Sequence, residues 1–179
     1  RAMHVYYTSF LKSRGYRLIG NYDEWNEAEY PNGKADLRNL LRKLENNGIL
    51  PGFHYLHSHI GMDSKYVTPV PDRRLNLVQI FTLSKPLSAT DTTIHIDQDP
   101  SYIEMTDQRR VLRIGRELVS YEGFSNQRPF TLTGCKRGIW NTQASAHPEG
   151  LLFGVLDVSE FGATSVYINQ DNDLQDEVA

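Results

Sequence analysis

The chain has 179 residues, enough for one sizeable core or two small ones, with 23% charged residues and a formal net charge of -3. That weak acidic balance leaves no footprint for nucleic acid or for an anionic membrane surface. No run approaches the ~18 apolar residues of a membrane span, no signal peptide is recognisable, and the lone cysteine, Cys135, excludes a disulfide framework and reads as a buried structural thiol.

Residues 3–10 and 16–19 each read as a strand or a short helical turn. Residues 22–30 form an acidic, aromatic loop containing Tyr22, Asp23, Glu24, Trp25, Glu27, Glu29 and Tyr30. Two readings stay open for it: a substrate-contacting loop at the mouth of a barrel, or a polar surface loop whose Trp25 packs down on the core. A helix is predicted over 34–47, because Leu37, Leu40, Leu41 and Leu44 recur at helical spacing on one stripe. Asn32 and Gly33 are its start signals and Gly48 its stop. A strand follows over 49–55, giving one half of a βα repeat.

Residues 51–61 (PGFHYLHSHIG) place His54, His57 and His59 in and just after that strand. In an extended chain Phe53, Tyr55, His57 and His59 share one face, and His54, Leu56, Ser58 and Ile60 the other. Two histidines at i, i+2 can chelate a metal, but they need a third ligand of the kind Asp63 or Glu24 would supply. The spacing identifies neither, so no metal or cofactor site is assigned. Hydrogen bonding to sugar hydroxyls and a purely structural role both remain for these rings. Glycoside hydrolysis needs two opposed carboxylates. Asp23, Glu24, Glu27, Glu29, Asp63 and Asp72 all lie in loops, and nothing in the sequence pairs any two of them, so the catalytic residues stay unknown.

Residues 68–72 read as a rigid extended connector, and Asp72, Arg73 and Arg74 as a solvated rim. From Leu77 onward short alternating strands follow at 78–83, 93–96, 111–114, 117–121, 130–133 and 151–158. Asp99, Pro100, Gly115, Gly123, Asn126, Gly134 and Gly138 separate them, the pattern of a small all-β unit over 77–157. A turn at Gly115 and Arg116 would set Leu112 and Ile114 against Leu118 and Tyr121. Trp140 and His147 read as packing residues or as a ligand surface. Residues 164–168 form one more strand, and 174–179 begin a helix with acids in its first turn. So short a helix is not stable alone, and it is expected to pack on something beyond these residues, as in a fragment. No phosphate loop, HExxH, GxSxG or dinucleotide fingerprint occurs.

The fold class expected is α/β plus all-β: partial (β/α) barrel segments flanking an inserted small β-sandwich or β-barrel module. The divisions are 1–76, 77–157 and a truncated return at 158–179.

Residues 29–38 (EYPNGKADLR), the leucine helix and residues 47–55 (NGILPGFHY) resemble a repeat unit of TIM-barrel glycoside hydrolases of the α-galactosidase-like groups. Gly48, Ile49, Gly52 and His54 carry that outline. Pro51 and the extra His-x-His depart from it. Residues 110–147 resemble a β module inserted in large bacterial barrel proteins of this type, and are similar to segments of phage-tail-like proteins. The residues that carry this are Leu112 to Gly115, Glu117 to Gly123, Thr133 to Gly138 and Thr142 to His147. The resemblance implies a carbohydrate-active parent enzyme that hydrolyses glycosidic bonds, secreted or periplasmic in its full-length form. Its implied partners are carbohydrate and the remainder of the parent barrel chain, with no cofactor. It places Tyr55, His57 and His59 in the sugar pocket. Trp25, Glu24 and Asp63 join them as substrate-binding candidates from neighbouring loops. The alternative is a non-catalytic β module that binds glycan or protein, which needs Trp140, Tyr121 or Phe124 on an exposed platform.

Overall fold

The computed structural model describes residues 1–12, 17, 19–103, 110–159, 164–169 and 171–178. Tyr16 and Leu18, from the expected element at 16–19, lie outside the described residues.

Residues 3–10 resolve into a strand and then a helical turn. β1 (Ala2–Tyr6) passes into α1 (Tyr7–Phe10), a long loop, α2 (Lys34–Asn46) and β2 (Leu50–His54). β1 and β2 pair in parallel from Ala2 opposite Leu50 to Tyr6 opposite His54. α2 begins at Gly33, and Asp36 reaches back to accept from the Asn32 N–H at 2.7 Å. It ends in a Schellman motif: Ile49 N–H donates to the Leu44 carbonyl at 3.0 Å and Gly48 N–H to that of Glu45 at 2.9 Å. Gly48 makes this possible with a φ of 69°. Leu37 is buried, and Leu40 and Leu41 are half-buried, over a core of Val5, Tyr7, Phe10, Leu11 and Ile19. Burying a leucine such as Leu37 contributes about 1.5–3 kcal/mol.

The chain leaves the strand after His54. It becomes extended again only at β3 (His59–Gly61), which belongs to another sheet and pairs antiparallel with β11 (Ser165–Tyr167). This corrects the expected shared face of Tyr55, His57 and His59, because side chains alternate only where the backbone stays extended. Residues 68–70 bend rather than run straight as an extended connector, and 71–72 belong to no regular element.

The central strands are β4 (Leu77–Thr82), β5 (Ile94–His95), β6 (Val111–Ile114), β7 (Glu117–Ser120), β8 (Gly123–Ser125), β9 (Thr131–Thr133) and β10 (Leu152–Leu156). They form two antiparallel sheets, in the orders β4-β10-β6-β7 and β5-β9-β8. The two share a core that includes Phe81, Ile94, Leu112, Ile114, Tyr121, Leu132 and Phe153. Gly115, with a φ of 58°, makes the two-residue turn between β6 and β7. Leu118 pairs with Arg113 and turns to a second core, away from Leu112 and Ile114. The hairpin is therefore buried on both faces, which corrects the single-faced packing expected for it.

That second core draws on all three expected segments. Ile60, Val67 and Leu75 meet Val111, Leu118 and Leu156 from the central strands, and Val166, Ile168, Leu174 and Val178 from the end of the chain. Leu174 and Val178 belong to α3 (Leu174–Val178) and are buried. The short helix thus packs on the core of its own chain. Arg74 adds ion pairs to Asp72, Asp173 and Glu177 at 2.8, 2.9 and 2.6 Å. Together they keep its guanidinium above its ordinary pKa, Asp72 contributing most. The whole is a mixed α/β and all-β architecture of small sheets, and no barrel closes among the described residues.

Candidate functional site

A cleft of about 450 Å³ lies just past the carboxyl ends of β1 and β2, within the size range of small-molecule sites. Tyr22, Trp25, Tyr55 and Tyr66 line it, with Asp23, Lys65 and Glu177 among its polar residues.

The acidic loop is fixed in place by its backbone. Lys12 N–H donates to the Glu24 carbonyl and Asn26 N–H to the Phe10 carbonyl, both at 2.8 Å. Trp25 then packs on Phe10, with ring centres 5.5 Å apart, and on Tyr30, 6.2 Å away. Gly33 closes over the indole: a Cβ there would lie 3.2 Å from the Trp25 ring, and its φ of 56° suits glycine. Tyr22 meets Tyr55 edge-on at 6.0 Å, and Tyr55 meets His57 at 6.2 Å. Burial pushes the Tyr22 phenol up to about 12, so it remains a hydrogen-bond donor.

Three of the four charged groups that line the cleft, Asp23, Lys65 and Glu177, are matched within the protein, whereas Lys34 at the start of α2 is exposed and carries no ion pair among the described residues. Lys65 donates to Asp23 at 3.2 Å and lies over the Tyr66 ring. Asp23 holds the ammonium above its ordinary pKa. Glu177 is taken by Arg74, which holds that carboxyl below its usual range.

Of the sequence candidates, Trp25 and Tyr55 line the cleft, and His57 lies against Tyr55. Glu24 accepts from the Asn21 side chain at 2.8 Å. Asp63 is clamped by Arg17 through two bonds of 2.5 and 2.6 Å. His59 is buried, with Nδ1 at 2.9 Å from the Ser58 hydroxyl and its ring 4.3 Å from Tyr167. Sequence reasoning missed Lys65, Tyr66 and Glu177, which only the tertiary fold brings to the cleft. It also missed Asn21 and Ser64, a buried pair joined at 2.6 Å that ties the acidic loop to the turn after β3.

The second polar cluster is structural. Glu117 is fully buried at the β6–β7 turn. Its carboxylate accepts from Arg137 at 2.7 and 2.6 Å, from the N–H groups of Gly138 and Ser145 at 3.0 and 3.1 Å, and contacts His147 Nε2 at 3.1 Å. Burial raises its pKa, but Arg137, His147 and the Ser145 N–H outweigh that and leave it below the ordinary range. His147 and Arg137 thus hold the loop between them onto the sheet. Cys135 is buried in the same module, and burial pushes its thiol up to about 12. Among the described residues no cluster of three metal-ligating side chains occurs, and no helix is long and apolar enough to cross a membrane. No family model matches the chain, and no curated protein is significantly similar to it.

Proposed function

We propose that this chain is part of a carbohydrate-active, glycoside hydrolase-like barrel protein, and that the cleft of Tyr22, Trp25, Tyr55 and Tyr66 binds a neutral sugar. The observation that carries this reading is the pairing of four aromatic rings with charges of which three, Asp23, Lys65 and Glu177, are already satisfied, Lys34 being left as a donor. A sugar ring offers apolar C–H faces to aromatic rings and hydroxyls to polar neighbours, and brings no charge of its own. A phosphate would have to compete with Asp23 for Lys65 and would find only Lys34 free, and a cation would have to compete with Arg74 for Glu177.

Two further observations support it. The cleft lies beyond the carboxyl ends of parallel strands, where α/β folds bind ligands. Parallel strands normally have both faces covered, whereas Met3, Tyr6, Leu50 and Phe53 are exposed on this pair. That favours a ribbon belonging to a larger parallel sheet, with residues 77–157 as its inserted module and the catalytic carboxylates on other strands. The reading of the module as a non-catalytic binder has less support. Tyr121 is buried, and Trp140 and Phe124 pack half-buried against the cores.

The test uses the full-length gene product and a panel of neutral mono- to tetrasaccharides. Sugar binding should change tryptophan emission, and Trp25→Phe should remove that change, with Trp140 as the unresponsive reference. Hydrolysis of at least one glycoside is expected. A folded protein that neither binds nor turns over any member of the panel overturns the proposal.

A further inference from the structure

The cleft is one end of a longer row of rings. His54 stacks on Tyr6 with centres 4.5 Å apart and planes at 27°, and lies 6.1 Å from Tyr7. Tyr7 is 6.5 Å from Tyr22, which leads to Tyr55 and His57. Aromatic contacts therefore run without a gap from the cleft across the carboxyl ends of β1 and β2 to the Tyr6–His54 pair.

That pair sits on the opposite face of the ribbon from α2. Val5 points to the α2 core, so its neighbours His4 and Tyr6 point the other way. Tyr6 is in register with His54, and His4 with Gly52. A Cβ on Gly52 would approach the His4 ring to 3.0 Å, so glycine keeps this part of the face flat. Tyr6 is half exposed. The face formed by His4, Tyr6, Gly52 and His54 carries no carboxylate, lysine or arginine.

The chemistry of His54 follows from its burial. Its Nδ1 is buried with no hydrogen-bond partner. A buried lone pair is less costly to leave unmatched than a buried N–H, so the ring proton belongs on Nε2. The ring itself is only half-buried, and Nε2 is the nitrogen left to meet a ligand, as a donor.

We infer that Tyr6 and His54 form a second saccharide subsite, Tyr6 stacking on the sugar and His54 Nε2–H donating to a hydroxyl. The ligand is then a neutral oligosaccharide that spans both ends of the row. This rests on the sugar reading of the cleft, and the experiment separates the two.

The full-length protein is labelled with ¹⁵N-histidine and ¹⁵N-tryptophan and titrated with galactose, melibiose, raffinose and stachyose as a series of increasing length. The free protein should show the Nε2–H tautomer at His54. Stachyose should shift both the Trp25 indole and His54 Nε2. Tyr6→Ala and, as a milder change, His54→Gln should weaken stachyose binding by about tenfold, roughly the loss of one good contact, and leave galactose affinity unchanged. Shifts confined to Trp25 with every sugar, or unaltered stachyose affinity in both folded variants, overturn the second subsite and leave the cleft standing. Shifts at His54 without Trp25 overturn the sugar reading of the cleft and, with it, the ligand that spans the row. No shift at either place overturns both.

Discussion

The hydroxyl of Tyr22 donates to the carbonyl of Leu56 at 2.8 Å and accepts from the N–H of the same residue at 3.0 Å. One side chain thereby satisfies both backbone groups of a residue just past the end of β2, where no strand partner is present to do so. It also fixes the acidic loop against the segment that carries Tyr55 and His57. Tyr22→Phe keeps the ring and removes both bonds. It should destabilise the protein by about 1–3 kcal/mol, measured by urea unfolding, and weaken sugar binding with it.

Glu117 should dominate the acid sensitivity of the β module. Its folded pKa is depressed, so the stability it contributes is fully present above the unfolded value, ordinarily 4.5, and is lost as pH falls through the lower folded value. A melting temperature followed down through this range should drop in the native protein. In Glu117→Gln that acid-dependent component should be absent.

Removing one partner of a buried ion pair costs more than the pair contributes, because the other charge stays buried and unmatched. Arg137 and Glu117 are both nearly inaccessible. Arg137→Ala should therefore lower stability by about 3–5 kcal/mol, as read from chemical denaturation, and release the loop that reaches His147.

Gly61 allows a backbone crossing that any other residue would block. A Cβ there would lie 2.1 Å from the Arg17 carbonyl oxygen, a backbone atom that cannot swing aside. Gly61→Ala should destabilise by about 3 kcal/mol or more, visible as a loss of soluble folded protein. At Gly48 a Cβ meets nothing within 4 Å, so Gly48→Ala should cost only the strain of its positive φ, about 1 kcal/mol.

Arg74 links the turn at Asp72 to α3. In Arg74→Ala the amides of α3 should exchange with solvent faster while those of β6 and β7 keep their protection. An unchanged α3 would mean that Leu174 and Val178 hold it without the ion pairs.

The sequence by itself determined the elements that repeat with a fixed period or carry their own stop signals. α2 was legible because four leucines fall on one stripe and Gly48 ends it. The β6–β7 hairpin was legible because Gly115 sits between two short apolar runs. Trp25 was read in the acidic loop and Tyr55 at the end of the strand, and both line the cleft. Tertiary structure decided what local periodicity does not encode. The break after His54 sends His59 to another sheet, and it depends on the distant strand β11, which pairs with β3. Leu118 turns to a second core because α3, β3 and β11 supply apolar partners on that side. Lys65, Tyr66 and Glu177 reach the cleft from separate parts of the chain. Glu117 is tolerable in the interior only because Arg137 and His147 close on it. In each case the deciding contact joins residues far apart in sequence, and its energy exists only once the chain has folded.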